Sequence, residues 1–286
     1  MTPLQQTVNG FLAAEGLANT GMAQNYAAVY LPLAQWLYDR RQQGQRLLGV
    51  NGAQGSGKST LCKLLALMLQ QGFGETVAVL SLDDFYLTRA QRMQLAQRVH
   101  PLLQTRGVPG THDVELAVSV LTALRNGASV NVPRFDKATD DRAANNLWQR
   151  FSQPVDIILF EGWCVGARPQ APAALQHPVN VLEADADQQG IWRQYVNDRL
   201  AGAYQTLFAL LDNLLMLQVP AFTSVYAWRA LQETKLVHGM NSQQLQHFIM
   251  HYQRLTEHML AEMPTRADKC LLVGADHQII APPLID

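Results

Sequence analysis

The sequence predicts an α/β protein, a three-layer α/β/α fold with a mostly parallel sheet and helical insertions. Three observations carry this. Short apolar runs at residues 47–50, 77–80 and 155–160 fit strands buried on both faces, as the strands of a parallel sheet are. Segments with helical spacing separate those runs, the alternation that builds such a sheet. A glycine-rich stretch follows the first run at once and leads directly into a helical segment.

In chain order, residues 1–45 read as a helical extension. Apolar positions at helical spacing over 26–37 end at Asp39-Arg40-Arg41 and Gly44, a plausible stop for a helix. Residues 47–50 are the first strand and 61–69 an amphipathic helix. Residues 77–80 are a second strand, which ends in Asp83-Asp84. The polar stretch 85–113, with Pro101, Gly107, Pro109 and Gly110, reads as a long excursion of the kind that carries function. Residues 114–124 look helical, and 130–135 look like a strand closed by Pro133. Residues 155–160 are the clearest buried strand, and 179–182 read as another. From 187 to 263 the pattern is mostly helical, in three segments broken near Pro220 and Gly239. Short strands at 270–273 and 278–280 flank Gly274-Ala275. The simplest organisation is one domain, 1–286, in which 187–263 form a helical lid.

Composition narrows the function classes. Of 286 residues 48% are hydrophobic and 16% charged, a globular balance. A formal net charge of −1 gives no global field for nucleic acid or an anionic membrane, so neither is expected as a partner. The best apolar stretch, 207–222, is too short for a bilayer and contains Asp212 and Pro220. No charged and apolar leader opens the chain. Three scattered cysteines, Cys62, Cys164 and Cys270, lack metal-ligand spacing and suit a reducing compartment. A cytoplasmic location is expected.

The glycine-rich stretch is Gly52-Ala53-Gln54-Gly55-Ser56-Gly57-Lys58-Ser59, followed by Thr60. A triphosphate is held by many inward-pointing backbone N–H groups, and few side chains leave room for that closure. The helix opening behind the loop favours an anion at its N-terminus. In this P-loop pattern Lys58 reaches the β- and γ-phosphates and the Ser59 hydroxyl ligates Mg²⁺. ATP and Mg²⁺ are therefore the expected cofactors.

Phosphoryl transfer also needs acids beside the loop, at the carboxyl ends of neighbouring strands. Asp83-Asp84 and Glu161-Gly162 meet that requirement. Between 100 and 142, His100, Arg106, His112, Arg134, Lys137 and Arg142 lie among Gly and Pro, with Asp113, Asp136, Asp140 and Asp141 nearby. Arginine forks bind carboxylates and Asp or His suits hydroxyls, so the set fits a small hydroxy acid better than a nucleobase. His100 and His112 have no third partner at metal-ligand spacing. Trp192, Tyr195, Tyr204 and Phe208 read as core positions rather than a base-stacking platform. For the adenine, only the 274–276 turn is suggested.

At these residues the chain resembles the small-metabolite P-loop kinases: uridine kinase, phosphoribulokinase and bacterial pantothenate kinase. Asp83-Asp84-Phe85-Tyr86 is similar to their Asp-x-Phe element and Glu161-Gly162 to their Glu-Gly. The resemblance is strongest to the plant- and fungal-type D-glycerate 3-kinases. It is carried by Arg106-Gly107-Val108-Pro109-Gly110-Thr111-His112-Asp113, Pro133-Arg134-Phe135-Asp136-Lys137, Phe160-Glu161-Gly162-Trp163 and Tyr226-Ala227-Trp228-Arg229. It implies Asp83 as catalytic base, Glu161 with Ser59 at Mg²⁺, and Lys58 on the phosphates. It further implies Arg229 as a lid cation, ahead of Arg193 and Arg199. An acceptor pocket would come from Asp84, Tyr86, His100, Arg106, His112, Asp113, Arg134, Asp136 and Lys137. D-Glycerate is the acceptor it implies. Uridine, pantothenate, a sugar phosphate, or an ATP-binding regulatory module without an acceptor remain the alternatives. The plant-type enzymes tend to carry an Arg near Lys235, which leaves the second basic lid residue open.

Overall fold

A computed structural model describes residues 1–18, 21–233, 240–274, 276 and 278–280. Five parallel strands form the central sheet in the order β2-β7-β1-β8-β9. They are β1 (Leu47–Gly52), β2 (Val77–Ser81), β7 (Ile157–Gly162), β8 (Asn213–Gln218) and β9 (Lys269–Leu272). Two small antiparallel pairs stand apart from it: β3 (Val130–Val132) with β6 (Gln149–Phe151), and β4 (Phe135–Asp136) with β5 (Asp141–Arg142).

Successive strand side chains point to opposite faces, and both faces are covered. Ile158 and Phe160 of β7 join one apolar cluster with Leu47, Ala78, Leu80, Leu214 and Met216. Ile157 and Leu159 join the other, with Leu48, Val50, Leu215, Leu217 and Leu271. This two-sided burial is why the strands read as unbroken apolar runs.

The second cluster is covered by α1 (Pro3–Ala14), α2 (Leu31–Gln42) and α3 (Lys58–Phe73), so the predicted N-terminal helical extension packs on the sheet. The first is covered by α5 (Val114–Arg125), α7 (Ile191–Arg199) and α9 (Ser242–Glu262), whose buried side chains include Leu121, Trp192 and Tyr252. Helix α8 (Phe222–Glu233) packs against α9.

The structure corrects four readings. Residues 213–218, expected to be helical, form β8 beside β1 at the centre of the sheet. Residues 179–182, expected as a strand, instead open helix α6 (Val181–Ala186), with the Asn180 side chain accepting from Glu183 N–H at 3.0 Å. The 85–113 excursion is not irregular throughout: it contains α4 (Arg89–Arg98), capped by Thr88 and Gln91 in a reciprocal box. Residues 278–280, expected as a short strand, contribute only an isolated antiparallel bridge from Ile279 to Val273. Gly239 and Ala275 lie outside the described residues. Among the described residues no helix is long and apolar enough to cross a membrane.

Candidate active site

The sheet register sets the geometry. Glu161 pairs with Val50 of β1 on one side and with Ser81 of β2 on the other. The acid therefore sits between the strand that runs into the phosphate loop and the strand that runs into Asp83. All three carboxyl ends open onto the same edge, where open α/β sheets bind ligands.

The loop is built by close backbone approach. A Cβ on Gly52 would stand 2.5 Å from Ser56 Oγ, so only glycine leaves room there. Gly57, at φ +89°, precedes α3, and no side chain caps the first turn of that helix. Its leading N–H groups are left for an anion. Ser56 Oγ and Gln54 Oε1 are buried in the loop without a hydrogen-bond partner among the described residues.

Ser59 donates to Glu161 Oε1 at 2.8 Å. Glu161 is buried, and its Oε2 makes no hydrogen bond among the described residues. A hydroxyl and a carboxylate with a spare oxygen form a hard-oxygen donor set that suits Mg²⁺, an ion that takes few protein ligands and fills its remaining positions with water and phosphate. No group of three or more His, Cys, Asp or Glu side chains able to cage a metal occurs among the described residues.

Asp83 follows β2 on a tight turn begun by Ser81, whose side chain accepts from Asp83 N–H at 3.3 Å. One Asp83 oxygen accepts from Tyr86 Oη at 2.9 Å and the other from Lys137 Nζ at 2.7 Å. Burial alone would raise its pKa, but Lys137 and Lys58 outweigh burial and bring it down to about 2. Asp83 is a carboxylate at neutral pH, close to the P-loop lysine.

Asp84 is turned to a different task. It accepts from Arg134 at 2.7 Å and from Phe135 N–H at 3.1 Å, so it fastens the β4–β5 hairpin that carries Lys137. Burial raises its pKa against the pull of those two donors. Tyr86 stacks on His112 with centroids 4.4 Å apart; burial and the adjacent Asp83 keep it a phenol. Arg106 pairs with Asp140, and its guanidinium lies 5.5 Å from the Phe135 ring centroid. Arg134 also binds Gln149.

Several predicted residues are engaged in building the fold. Both ring nitrogens of His100 are engaged elsewhere: Nδ1 accepts from Leu102 N–H at 3.3 Å, and Nε2 meets the Ala186 carbonyl at 3.0 Å. Asp113 caps α5 through Leu116 N–H and pairs with Arg142 at 3.1 Å. Asp136 closes its own turn with Ala138 N–H and Thr139. Arg193 is buried against Asp187 and the Leu175 carbonyl, which removes it from the lid candidates. Arg229, on α8, lies over the Phe248 ring at 6.0 Å. Trp192, Tyr204 and Phe208 are core residues, as expected, whereas Tyr195 is half-buried at the edge of that core. Lys235 lies outside the described residues.

Two residues that the sequence reading did not single out, Asn51 and Arg92, and one that it read only as core, Tyr204, organise the site. Asn51 is buried and donates to the carbonyls of Trp163 at 3.0 Å and Val165 at 2.9 Å, tying β1 to the turn after Glu161. Arg92 is buried on α4 and binds the carbonyls of Leu87, Gln104 and Asp140. Tyr204 bonds to both Gly110 and His112. An arginine in a polar helix and an asparagine one residue before the loop have no distinctive spacing. Only the contacts show their roles.

A phosphate loop with a hydroxyl–carboxylate pair behind it, and a carboxylate at the end of the adjoining strand that feels the charge of the loop lysine, define a P-loop kinase. Comparison with known proteins places it more narrowly. Residues 47–167 match the family described as Phosphoribulokinase / Uridine kinase. An "uncharacterized kinase mug58" of Schizosaccharomyces pombe is 37% identical over 221 residues, 72% of this chain and 78% of that one. The chloroplastic D-glycerate 3-kinase of Arabidopsis thaliana is 30% identical over 220 residues, 72% of this chain but only 46% of the plant protein. The solved D-glycerate 3-kinase of Cryptococcus neoformans var. grubii aligns over 98% of both chains with a TM-score of 0.73, a likeness of fold at 24% identity. The chain belongs to the phosphoribulokinase / uridine kinase family and is an ATP-dependent small-molecule kinase.

Proposed function

We propose that this kinase transfers the γ-phosphoryl group of ATP to a hydroxyl of a small organic acid, with D-glycerate as acceptor and 3-phosphoglycerate as product. The observation that carries the reading is the Lys58–Asp83–Lys137 cluster, in which a carboxylate accepts from a hairpin lysine and feels the charge of the P-loop lysine. A base in that position can take the proton of an incoming alcohol. The lysine beside it, with Arg134 and Arg106 close by on the same hairpin and loop, suits an acidic acceptor. The similarity to the D-glycerate 3-kinase of Arabidopsis thaliana supports the same substrate.

The loop amides and Lys58 hold the phosphates. Ser59 and Glu161 would hold Mg²⁺, which when bound neutralises charge on the β- and γ-phosphate oxygens. Asp83 orients the acceptor hydroxyl and accepts its proton. Tyr86 and Lys137 keep that carboxylate ionised and aimed. Arg229, on the helical lid, supplies positive charge over the transferring group. The transition state spreads charge across the phosphoryl oxygens, so positioned cations are its main stabilisers.

The test is ADP release by the purified protein with Mg·ATP, with and without D-glycerate. Glycerate-dependent release that disappears in Asp83→Asn supports both substrate and base. Release that ignores glycerate but responds to uridine, pantothenate or a sugar phosphate keeps the mechanism and replaces the acceptor. Tight ATP binding with no acceptor-dependent release would sink the reading in favour of a regulatory module.

A further inference from the structure

The hydrogen bonds around His112 determine which of its ring nitrogens carries the proton. Gly110 N–H donates to Tyr204 Oη at 3.0 Å, so that oxygen is already an acceptor. Tyr204 Oη lies 2.6 Å from His112 Nδ1. The phenol has a single proton, and Nδ1 is the one acceptor found for it among the described residues. Tyr204 therefore donates, Nδ1 is bare, and the ring proton resides on Nε2. His112 is 4% exposed, and burial pushes its pKa down to about 3, so the ring is neutral.

That leaves a buried N–H at Nε2, for which the described residues offer no acceptor. Buried donors are almost always satisfied, and one left open calls for a ligand. The ring stacks on Tyr86, which donates to Asp83, and the charge of Asp83 is felt at His112. The open donor thus belongs to the layer beside the base.

We propose that His112 donates its Nε2–H to an oxygen of the acceptor as a neutral group, and that Tyr204 is the positioning residue that holds the ring in this tautomer. The proposal rests on the reading of Asp83 as the acceptor-side base. A neutral donor has an advantage here. An imidazolium beside Asp83 would compete with Lys137 and draw off the charge needed for proton abstraction. A neutral N–H orients an oxygen and leaves that charge alone.

Two measurements test this. In ¹⁵N-histidine spectra of the ligand-free full chain at pH 7, His112 is expected as the Nε2–H tautomer, assigned by its loss in His112→Gln. Tyr204→Phe should shift the signal toward the Nδ1–H form. A wild-type ring with its proton on Nδ1, or with two protons, overturns the proposal. If Tyr204→Phe does not fold, the wild-type spectrum decides alone. The second measurement compares His112→Gln, whose amide nitrogen falls near the Nε2 position, with His112→Asn, whose amide falls near Nδ1. The KM for D-glycerate should rise about tenfold in the Asn variant and stay within about threefold in the Gln variant, with the KM for ATP unchanged in both, as loss of one acceptor hydrogen bond predicts. Equal KM values for the two variants refute the donor role. The tautomer measurement needs no acceptor, so it stands apart from the choice of D-glycerate. If another alcohol replaces glycerate, the Gln and Asn variants are compared on that alcohol. If no acceptor is found, the proposal falls with the function.

Discussion

Replacing Lys137 with methionine should make the stability of the protein respond differently to acid. Lys137 Nζ lies 2.7 Å from Asp83 Oδ2, with the lysine side chain 61% exposed and the aspartate 29%. The Asp83 carboxyl falls from 3.8 to about 2 in the folded protein. That lowering corresponds to about 2.4 kcal/mol, the net of all its partners against the opposing effect of burial. Because the lysine is largely in solvent, screening cuts its own share to about 1 kcal/mol or less. The sign follows from linkage. A folded-state pKa below the unfolded value adds stability that is present above about pH 4 and lost as pH falls through about 2. Lys137→Met should therefore be less stable than wild type by about 0.5–1 kcal/mol at pH 7, and the gap should close toward pH 2. Urea unfolding at the two pH values, followed by circular dichroism with m values checked for equality, measures it. Added 1 M NaCl should narrow the gap at pH 7. A deficit that persists undiminished near pH 2 would refute the reasoning, since it would mean that Lys137 stabilises by packing rather than through the charge of Asp83.

Further outcomes follow from other contacts. Lys58→Ala should lower kcat by about 10²–10⁴-fold, the scale of a lost electrostatic clamp, and steady-state ADP release reads it. Gly107 sits at φ +139° against the Tyr252 ring, so Gly107→Ala combines backbone strain with overpacking. It should cost about 2–5 kcal/mol, visible as a lower Tm. Arg254 forms a two-pronged, buried pair with Glu183 at 2.8 and 2.6 Å. Arg254→Met should destabilise by about 3–5 kcal/mol by leaving that carboxylate buried and unpaired. A double variant, Arg254→Met with Glu183→Leu, should recover much of the loss in the same thermal scan.

What could be read from the chain alone divides along physical lines. The P-loop was legible because its chemistry demands particular residues in a fixed order. Strands β1, β2 and β7 were legible because β-branched and apolar residues sit between turn residues. Strand β8 was not. Its Asn-Leu-Leu-Met-Leu-Gln sequence follows apolar helical residues without a break, and a doubly buried strand of leucine and methionine looks like a buried helix. The error at 179–182 was avoidable: Asn180 three residues before Glu183 is a helix-start pattern. So was the omission of α4, whose Thr88-x-x-Gln91 box stood in the sequence. In the site, the residue types between 100 and 142 were visible, but not their division of labour. Asp113 and Asp136 carry the same carboxylate as Asp83, and His100 is as polar as Lys137, yet only the folded backbone shows that their bonds go to caps and turns.

The carbonyls bound by Arg92 come from both sides of the excursion, Leu87 and Gln104, and from the β4–β5 hairpin at Asp140. One buried guanidinium thus holds together segments far apart in the sequence, while the nucleotide loop hangs from β1 and needs none of them. The molecule is in effect modular at this joint. An attempt to re-engineer the enzyme for a different alcohol would have to transplant residues 85–142 as one cassette, Arg92 and Asp140 included, and could leave the phosphate-gripping half untouched. Exchanging the hairpin alone would put at risk the guanidinium's link to it and leave the Asp84 contacts to hold it.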